Sequence, residues 1–246
     1  MVGEVIAVLS GKGGTGKTSV CAGIATALAE SSLKVLAIDC DVGLRNLDIS
    51  LGISDRAALS FLDLSEGSYT FDQVMAHPRY PTLYFLTAPM TRAPEKISVS
   101  AFTAMLRSAR NRFDYILLDA PAGVDAGFRL ASSGADRCIL VTGSDPASIR
   151  DAQRTADILE LMGKTHTRLV VNRVNSKMVS TMDLTIDDVM DSAGLPLLGI
   201  VPEDTNVTLA ASFGTPLLHQ TKKGAAAACR RIAKRIQGIP EPINIR

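Results

Sequence analysis

The 246-residue sequence has few cysteines and histidines, no tryptophan and no long apolar run. The four cysteines lie far apart without a C-x-x-C pair, which argues against disulfides and a zinc site and predicts reduced, mostly buried thiols in a cytoplasm. The three histidines are isolated, which favours surface or loop positions over metal binding. No run reaches the roughly 18 apolar residues that a transmembrane helix needs, and no signal-like stretch opens the chain. The residues concerned are Cys21, Cys40, Cys138, Cys229, His77, His166 and His219.

The chain also lacks an excess of charge of either sign. Its formal net charge is +1, which excludes an overall basic surface of the kind that holds a nucleic-acid backbone by charge alone. A length of 246 residues with 46% hydrophobic content suits one large α/β domain and makes a second one improbable. We therefore predict a single domain over residues 1–246, with its core at about 4–236 and a short C-terminal tail at 237–246.

Short apolar runs alternate with amphipathic stretches along the chain. Apolar runs without internal alternation are typical of strands covered on both faces, and strand–helix alternation favours right-handed βαβ units. The sequence therefore predicts an α/β fold with a doubly wound, mainly parallel sheet and helices on both faces. The predicted strands are 5–9, 35–38, 83–86, 115–118, 138–141, 168–171 and 197–201, and the predicted helices are about 17–30, 99–110, 147–162, 182–193 and 223–236.

The segment GKGGTGKT at residues 11–18 matches the phosphate-loop pattern G-x-x-x-x-G-K-[ST]. It follows the first predicted strand and opens the first predicted helix, which is the context that the pattern requires. Its glycines let backbone N–H groups face phosphate oxygens, Lys17 neutralises the β and γ phosphates, and the Thr18 hydroxyl suits Mg²⁺. The predicted nucleotide contacts are Gly11, Lys12, Gly13, Gly14, Thr15, Gly16, Lys17, Thr18 and Ser19.

Carboxylates follow two further predicted strands. The segment DCDVGLRNLD begins at residue 39 and DAPAG at residue 119, so Asp39, Asp41 and Asp119 lie where open α/β sheets bind ligands. Asp119 suits the water shell of Mg²⁺, and a carboxylate in the first segment can orient an attacking water. Asp39 fits equally well as a helix N-cap or a turn former.

The order and content of these motifs resemble the deviant-Walker ATPases of the MinD/ParA superfamily, and within it most closely the MinD group. The matching segments are GKGGTGKT, DCDVGLRNLD, DAPAG, SIRDAQR (148–154) and GIVPED (199–204). The first motif marks the superfamily, whereas GLRNLD after Asp-x-Asp is more specific. In that family the additional loop lysine, here Lys12, reaches across an ATP-bound dimer to the phosphates of the other subunit. A cation supplied in this way makes catalysis depend on assembly.

The resemblance also implies roles for other residues. The catalytic set is Lys12, Lys17 and Asp41, with Asp41 positioning the attacking water, and the magnesium set is Thr18, Asp39 and Asp119. Asn46 becomes a candidate contact at the dimer interface, and Asn172, Pro202 and Asp204 become candidate contacts of the base. An amide can both donate to and accept from an adenine edge, although Asn172 at a strand end also fits a turn residue. The guanine signature N/T-K-x-D is missing from this stretch, so the expected cofactors are ATP and Mg²⁺.

The last predicted helix carries an apolar side and a basic side. Cys229, Ile232, Ala233 and Ile236 share one face, and Arg230, Arg231, Lys234 and Arg235 lie largely elsewhere. This pattern suits an anionic membrane, but it lacks the large apolar residues of a surface-seeking helix, so packing onto the sheet is the simpler prediction. The remaining GIPEPINIR has two prolines and no helical periodicity. No appended amphipathic segment is visible, and membrane association is therefore doubtful.

The expected function is slow ATP hydrolysis that controls a switch between monomer and ATP-bound homodimer. The resemblance implies a part in placing the division site or in related positioning, through a division inhibitor or a topological-specificity activator. The expected location is the cytoplasm, with peripheral contact at the inner face of the membrane as a further option. Two alternatives stay open, a ParA-like partitioning ATPase bound to DNA and the ATPase subunit of an assembly or biosynthetic enzyme. The balanced charge speaks against nucleic acid, and the missing C-x-x-C pair and extra domain speak against the second alternative.

Overall fold

The computed structural model describes residues 2–56, 58–90, 92–175 and 185–243. Its strands form one seven-stranded parallel sheet in the order β3-β2-β4-β1-β5-β6-β7. The strands are β1 (Glu4–Leu9), β2 (Val35–Asp39), β3 (Leu83–Leu86), β4 (Tyr115–Asp119), β5 (Arg137–Thr142), β6 (Thr167–Val174) and β7 (Leu197–Pro202). The predicted doubly wound parallel sheet and its seven strands are confirmed, and only β6 extends well beyond its predicted C-terminal end.

Helices cover both faces of the sheet. They are α1 (Lys17–Glu30), α2 (Leu47–Leu51), α3 (Phe61–Ser65), α4 (Val99–Ala109), α5 (Ala126–Ser133), α6 (Pro146–Leu161), α7 (Ile186–Ala193), α8 (Thr205–Ser212), α9 (Leu217–Gln220) and α10 (Gly224–Ile236). Of the predicted helix 182–193, residues 182–184 lie outside the described residues. The described helix begins after Thr185, whose side chain forms a capping box with Asp188. The short helices α2, α3, α5, α8 and α9 were not predicted, because one or two turns show little periodicity.

Successive residues of each strand enter two different cores, because both faces of the sheet are covered. In β1, Val5, Ala7 and Leu9 belong to one core, and Ile6 and Val8 belong to the other. Helices α3 to α7 close the first core, and helices α1, α2, α8, α9 and α10 close the second. This double coverage explains why the strand segments are apolar at consecutive positions.

The last helix, α10, packs in the second core, which agrees with the prediction that it packs onto the sheet rather than onto a membrane. Cys229 and Ile232 are at most 1% exposed. An added Cβ on Gly23 of α1 would lie 2.4 Å from the Cys229 Sγ, and one on Gly199 of β7 would lie 2.4 Å from Ile232. These glycines therefore permit the close approach of α10 to its neighbours. The tail residues 240–243 are not helical, and no helix among the described residues is long and apolar enough to cross a membrane.

The predicted burial of the cysteines is confirmed, since all four are free thiols inside the protein. His77 lies in a loop, as one of the two predicted kinds of position, but its side chain is only 4% exposed. Its Nε2 lies 2.8 Å from the carbonyl oxygen of Leu51, and its Nδ1 accepts from the backbone N–H of Arg79 at 3.1 Å. Because Nδ1 is an acceptor, Nε2 carries the proton and donates to Leu51. Two backbone partners thus stabilise the ring in the interior.

Candidate nucleotide site

The phosphate loop connects β1 to the first turn of α1. Gly14 and Gly16 have φ values of 82° and 80°, in the left-handed region that glycine adopts without a steric penalty. Gly16 is the N-cap residue of α1, and as a glycine it offers no side chain to cap the helix start. Because the first N–H groups of a helix have no partner within the helix, they suit an anion at this position.

Lys17 and Asp119 form a buried ion pair beneath the loop. The Lys17 Nζ donates to Asp119 Oδ1 at 2.8 Å, and the two side chains are 7% and 1% exposed. The same Nζ lies 3.4 Å from the Thr18 hydroxyl oxygen. Burial raises the pKa of the Asp119 carboxyl, and the charge of Lys17 opposes this shift. The fold therefore brings together the lysine, hydroxyl and carboxylate that the sequence assigned to phosphate and magnesium.

Asp39 lies beside Asp119, because the two residues are in register on β2 and β4. Its Oδ1 accepts from the N–H of Asp41 at 2.8 Å, and its Oδ2 accepts from the N–H of Leu47, the first residue of α2, at 3.1 Å. Burial, followed by the charge of Asp119, raises the pKa of the Asp39 carboxyl to about 7. These bonds match the turn-forming role that the sequence left open for Asp39. Its role in the water shell of a metal stays a prediction.

Asp41 begins the segment 41–46, which we call the Asp41 loop. Its Oδ1 accepts from the N–H groups of Gly43 at 3.1 Å and Leu44 at 3.2 Å, which is an Asx turn. Arg45 has a φ of 48°, and its Nε donates to the Thr87 hydroxyl at 2.8 Å. The loop thus has a definite shape near the buried carboxylates. Positioning of water by Asp41 remains a prediction, and so does the interface role of the exposed Asn46.

Lys12 occupies the rim of the loop. Its Nζ lies 3.9 Å from Asp145 Oδ1, and the two side chains are 45% and 55% exposed. Asp145 is the N-cap of α6 and accepts from the N–H of Ser148 at 3.0 Å. An exposed pair of this kind adds little to stability. Lys12 is therefore accessible to a second molecule, in contrast to the buried Lys17.

A cavity of about 360 Å³, which we call the base cavity, lies beside the loop, between β6, β7 and α10. The structure brings Asn172, Pro202 and Asp204 together at this cavity with Gly16 and Ser19 of the loop. The apolar part of the lining consists of Val20, Val201, Val207, Leu217, Ala225 and Cys229. An apolar cleft of this volume with a few polar groups is typical of a small-molecule site, and its apolar walls suit a planar base.

Asn172 and Asp204 also have structural roles that the sequence did not predict. The Asn172 Nδ2 donates to the carbonyl oxygen of Thr15 at 2.7 Å, so this side chain supports the phosphate loop from below. Asp204 accepts from the N–H groups of Asn206 at 2.9 Å and Ala225 at 3.0 Å, and it thereby connects the starts of α8 and α10. Direct contacts between these two side chains and the base stay predictions.

Arg173 is a site residue that sequence reasoning missed. It has a φ of 57°, its guanidinium donates to the carbonyl oxygen of Gly14 at 3.2 Å, and it lines the base cavity. It also lines a second cavity of about 350 Å³ on the side of Lys12 and Asp145. A left-handed conformation is uncommon for arginine, and nothing in the segment VVNRV signals it.

The described residues fit a magnesium nucleotide. The Thr15 hydroxyl oxygen is buried and has no hydrogen-bond partner among the residues that the structure describes, and a phosphate oxygen would supply one. The Lys17 cation and the left-handed Gly14 and Gly16 suit a polyphosphate. The Thr18 hydroxyl and the Asp119 carboxylate are oxygen donors of the kind that Mg²⁺ prefers.

Known proteins show the same sequence pattern and fold. Residues 6–217 match the family model described as the CobQ/CobB/MinD/ParA nucleotide binding domain. The septum site-determining protein MinD of Synechocystis sp. is 35% identical over 242 residues, which cover 97% of this chain and 91% of that protein. MinD of Bacillus subtilis is 35% identical over 248 residues, which cover 99% and 92%.

Solved structures support the same assignment. A chain of the MinC:MinD cell division protein complex of Aquifex aeolicus has a TM-score of 0.90 at 36% identity, with 98% of each chain covered. The septum site-determining protein MinD complexed with Mg-ADP from Pyrococcus horikoshii OT3 has a TM-score of 0.82 at 27% identity, with 95% of each chain covered. The phosphate loop, the strand-end carboxylates and these relatives agree, and the chain belongs to the MinD family of P-loop ATPases.

Proposed function

We propose that this chain, acting as a single ATPase domain, uses ATP and Mg²⁺ to switch between a monomer and an ATP-bound homodimer that takes part in division-site placement. The observation that supports this proposal most strongly is the contrast between two lysines of one loop. Lys17 is 7% exposed and bonded to Asp119, whereas the Lys12 side chain is 45% exposed at the rim. A loop with one inward and one outward cation can bind phosphate in its own subunit and act on another subunit.

The chemistry follows from the positions of the side chains. With a nucleotide bound, Lys17 would exchange Asp119 for the β and γ phosphates; the Thr18 hydroxyl would then hold Mg²⁺, and Asp39 and Asp119 would support its water shell. Bound Mg²⁺ neutralises phosphate charge. Asp41 orients the attacking water, and the partner subunit's Lys12 stabilises the charge that develops on the γ-phosphate. Hydrolysis therefore requires the dimer.

We propose the protein partners by analogy with the relatives. The solved complex from Aquifex aeolicus joins MinC with MinD. By analogy, we propose that the ATP-bound dimer of this chain recruits a division inhibitor of the MinC kind and responds to an activator that sets topological specificity. Hydrolysis would then release the dimer and its partner together.

We propose the cytoplasm as the place of action, with only weak peripheral contact at the inner face of the membrane. The apolar side of α10 is buried, so this helix does not offer it to a bilayer. Wild-type protein with ATP should therefore sediment only weakly with anionic vesicles. Strong ATP-dependent sedimentation would contradict this part of the proposal.

The central test compares Lys12→Ala with Lys222→Ala, a change at another exposed lysine. The Lys12→Ala protein should bind ATP in calorimetry, because Lys17 and Thr18 remain, but it should stay monomeric in light scattering and release no phosphate. Lys222→Ala should behave like the wild type. A Lys12→Ala protein that dimerises and hydrolyses ATP would contradict the proposed switch.

A further inference from the structure

A third cleft, which we call the edge cleft, lies at the β3 edge of the sheet. It has a volume of about 280 Å³ and shares no lining residue with the two cavities beside the phosphate loop. Its apolar walls are formed by Ile53, Ala58, Leu59, Met75, Pro78 and Phe85. The Met75 side chain is 57% exposed, so it is accessible to a partner.

Two arginines lie at this cleft. Arg56 lines it, and Arg79 follows Pro78 of the wall. Neither guanidinium forms an ion pair with a carboxylate among the described residues. Asp72 on the neighbouring turn is already paired with Arg112. Burial lowers the pKa of His77 in the cleft wall, and the charges of Arg79 and Arg56 lower it further, which places both cations close to this ring.

The size and charge of the cleft indicate which kind of ligand it can bind. Small-molecule sites usually have roughly 300–1,000 Å³, so a cleft of about 280 Å³ suits one or two side chains better than a whole ligand. A flexible methionine can adapt to an inserted side chain, and arginines without a carboxylate partner attract carboxylates, although the Arg79 guanidinium also lies 3.1 Å from the His219 Nε2. We propose that the edge cleft docks a protein partner through an apolar anchor side chain that is flanked by acidic residues.

Hydrogen bonds connect the edge cleft to the Asp41 loop by two routes. In the first, Arg45 donates to the Thr87 hydroxyl at 2.8 Å, and the Thr87 N–H donates to the carbonyl oxygen of Leu59 in the cleft wall at 3.0 Å. In the second, Asp39 accepts from the N–H groups of Asp41 and of Leu47, the first residue of α2, and His77 donates to the carbonyl oxygen of Leu51, the last residue of α2. We extend the inference to a linkage, which rests on the proposed function: the nucleotide state of the phosphate loop changes the affinity of the edge cleft for its protein partner.

Fluorescence anisotropy with three labelled eight-residue peptides tests the docking. One peptide has a Leu-Phe centre flanked by Glu and Asp, one has the same centre flanked by Lys, and one has an Ala-Ala centre flanked by Glu and Asp. Only the first should bind the nucleotide-free chain. Its affinity should fall roughly tenfold or more in Arg56→Glu/Arg79→Glu and in Met75→Glu. The control Arg107→Glu, at an exposed arginine on α4, should leave it unchanged, and circular dichroism should show that all variants are folded.

A Met75→Cys variant locates the peptide, because the four native cysteines are buried. Each peptide is offered with one cysteine capped by cysteamine, and thiol–disulfide exchange releases cysteamine and joins peptide to protein. Intact-mass spectrometry should show capture of the acidic Leu-Phe peptide in preference to the other two. Equal capture of all three, or anisotropy unaffected by the arginine changes, would overturn the proposal. Binding of dodecanoate without peptide binding would assign the cleft to a small amphiphile. Self-association that is lost in Met75→Glu would assign the cleft to a second copy of the chain. Either result would also overturn the proposal.

The linkage is tested by repeating the titration with ATP and Mg²⁺. Peptide affinity should change with nucleotide in the wild type, and Thr87→Val should reduce this change while leaving the nucleotide-free affinity intact. An affinity that does not respond to nucleotide in a protein that light scattering shows to be dimeric would overturn the linkage. Absence of the dimer itself would instead count against the proposed function.

Discussion

Alanine at Gly16 should destabilise the chain more than alanine at Gly14, although both glycines have nearly the same backbone conformation. Their φ values are 80° and 82°. A Cβ in the left-handed region costs roughly 1–2 kcal/mol at either position. An added Cβ on Gly14 has no atom of the described residues within 4 Å, whereas one on Gly16 lies 2.3 Å from the Asn172 Nδ2. Asn172 must therefore move and give up its bond to the Thr15 carbonyl.

The loss of that buried bond adds roughly 1–3 kcal/mol. We expect a loss of unfolding free energy of about 1–2 kcal/mol for Gly14→Ala and about 2–5 kcal/mol for Gly16→Ala, measured by urea denaturation of the nucleotide-free chain. In the double variant Gly16→Ala/Asn172→Ala the clash is absent, so its destabilisation should be about 1–3 kcal/mol smaller than the sum of the single changes. Equal losses for the two glycines, or strictly additive losses in the double variant, would refute the reasoning.

Three further changes separate binding, turnover and stability. Lys17→Ala should abolish ATP binding in calorimetry, because it removes the cation placed against the phosphates; unchanged affinity would contradict the site. Asp41→Ala should bind ATP and accumulate as a dimer in light scattering without phosphate release; a monomer, or turnover at the wild-type rate, would contradict the role of Asp41. Burial lowers the pKa of His77 below its ordinary 6.5, so its stabilising contribution is complete above about pH 6.5 and is lost as the pH falls through the folded-state value. Denaturation between about pH 7.5 and pH 5 should therefore show a loss of stability that His77→Gln reduces and His219→Gln, at an exposed histidine, does not.

The strands and the phosphate loop could be predicted from the sequence because each has a local signature. A strand such as VIAVL is apolar at every position when both of its faces are covered, and GKGGTGKT contains its whole chemistry within eight residues. The carboxyl ends of parallel strands meet at one edge, so the sequence placed Asp39 and Asp119 at that edge. Their direct pairing on β2 and β4 was not predicted, because the sequence pattern does not specify the strand order.

The contacts that support the site could not be predicted from the sequence, because the bonded residues are distant in sequence or have rare backbone conformations. Asn172 bonds to Thr15 across 157 residues, and an asparagine at a strand end carries no mark of such a partner. Arg45 and Arg173 have positive φ values, which tertiary contacts impose on residues that do not favour them. Short helices such as α8 depend on capping and burial rather than on a long periodic pattern.

The position of α10 connects nucleotide binding to the question of the membrane. Ala225 and Cys229 of this helix line the base cavity, and the Ala225 N–H donates to Asp204 at the start of α8. Moving α10 onto a bilayer would remove one wall of that cavity and expose the side chains that now pack on α1 and β7. We predict that the base of ATP occupies this cavity, and on that prediction α10 cannot bind a membrane in the same state in which it supports the nucleotide. The same prediction implies that contact of the ATP-bound chain with a membrane uses other residues or a protein partner.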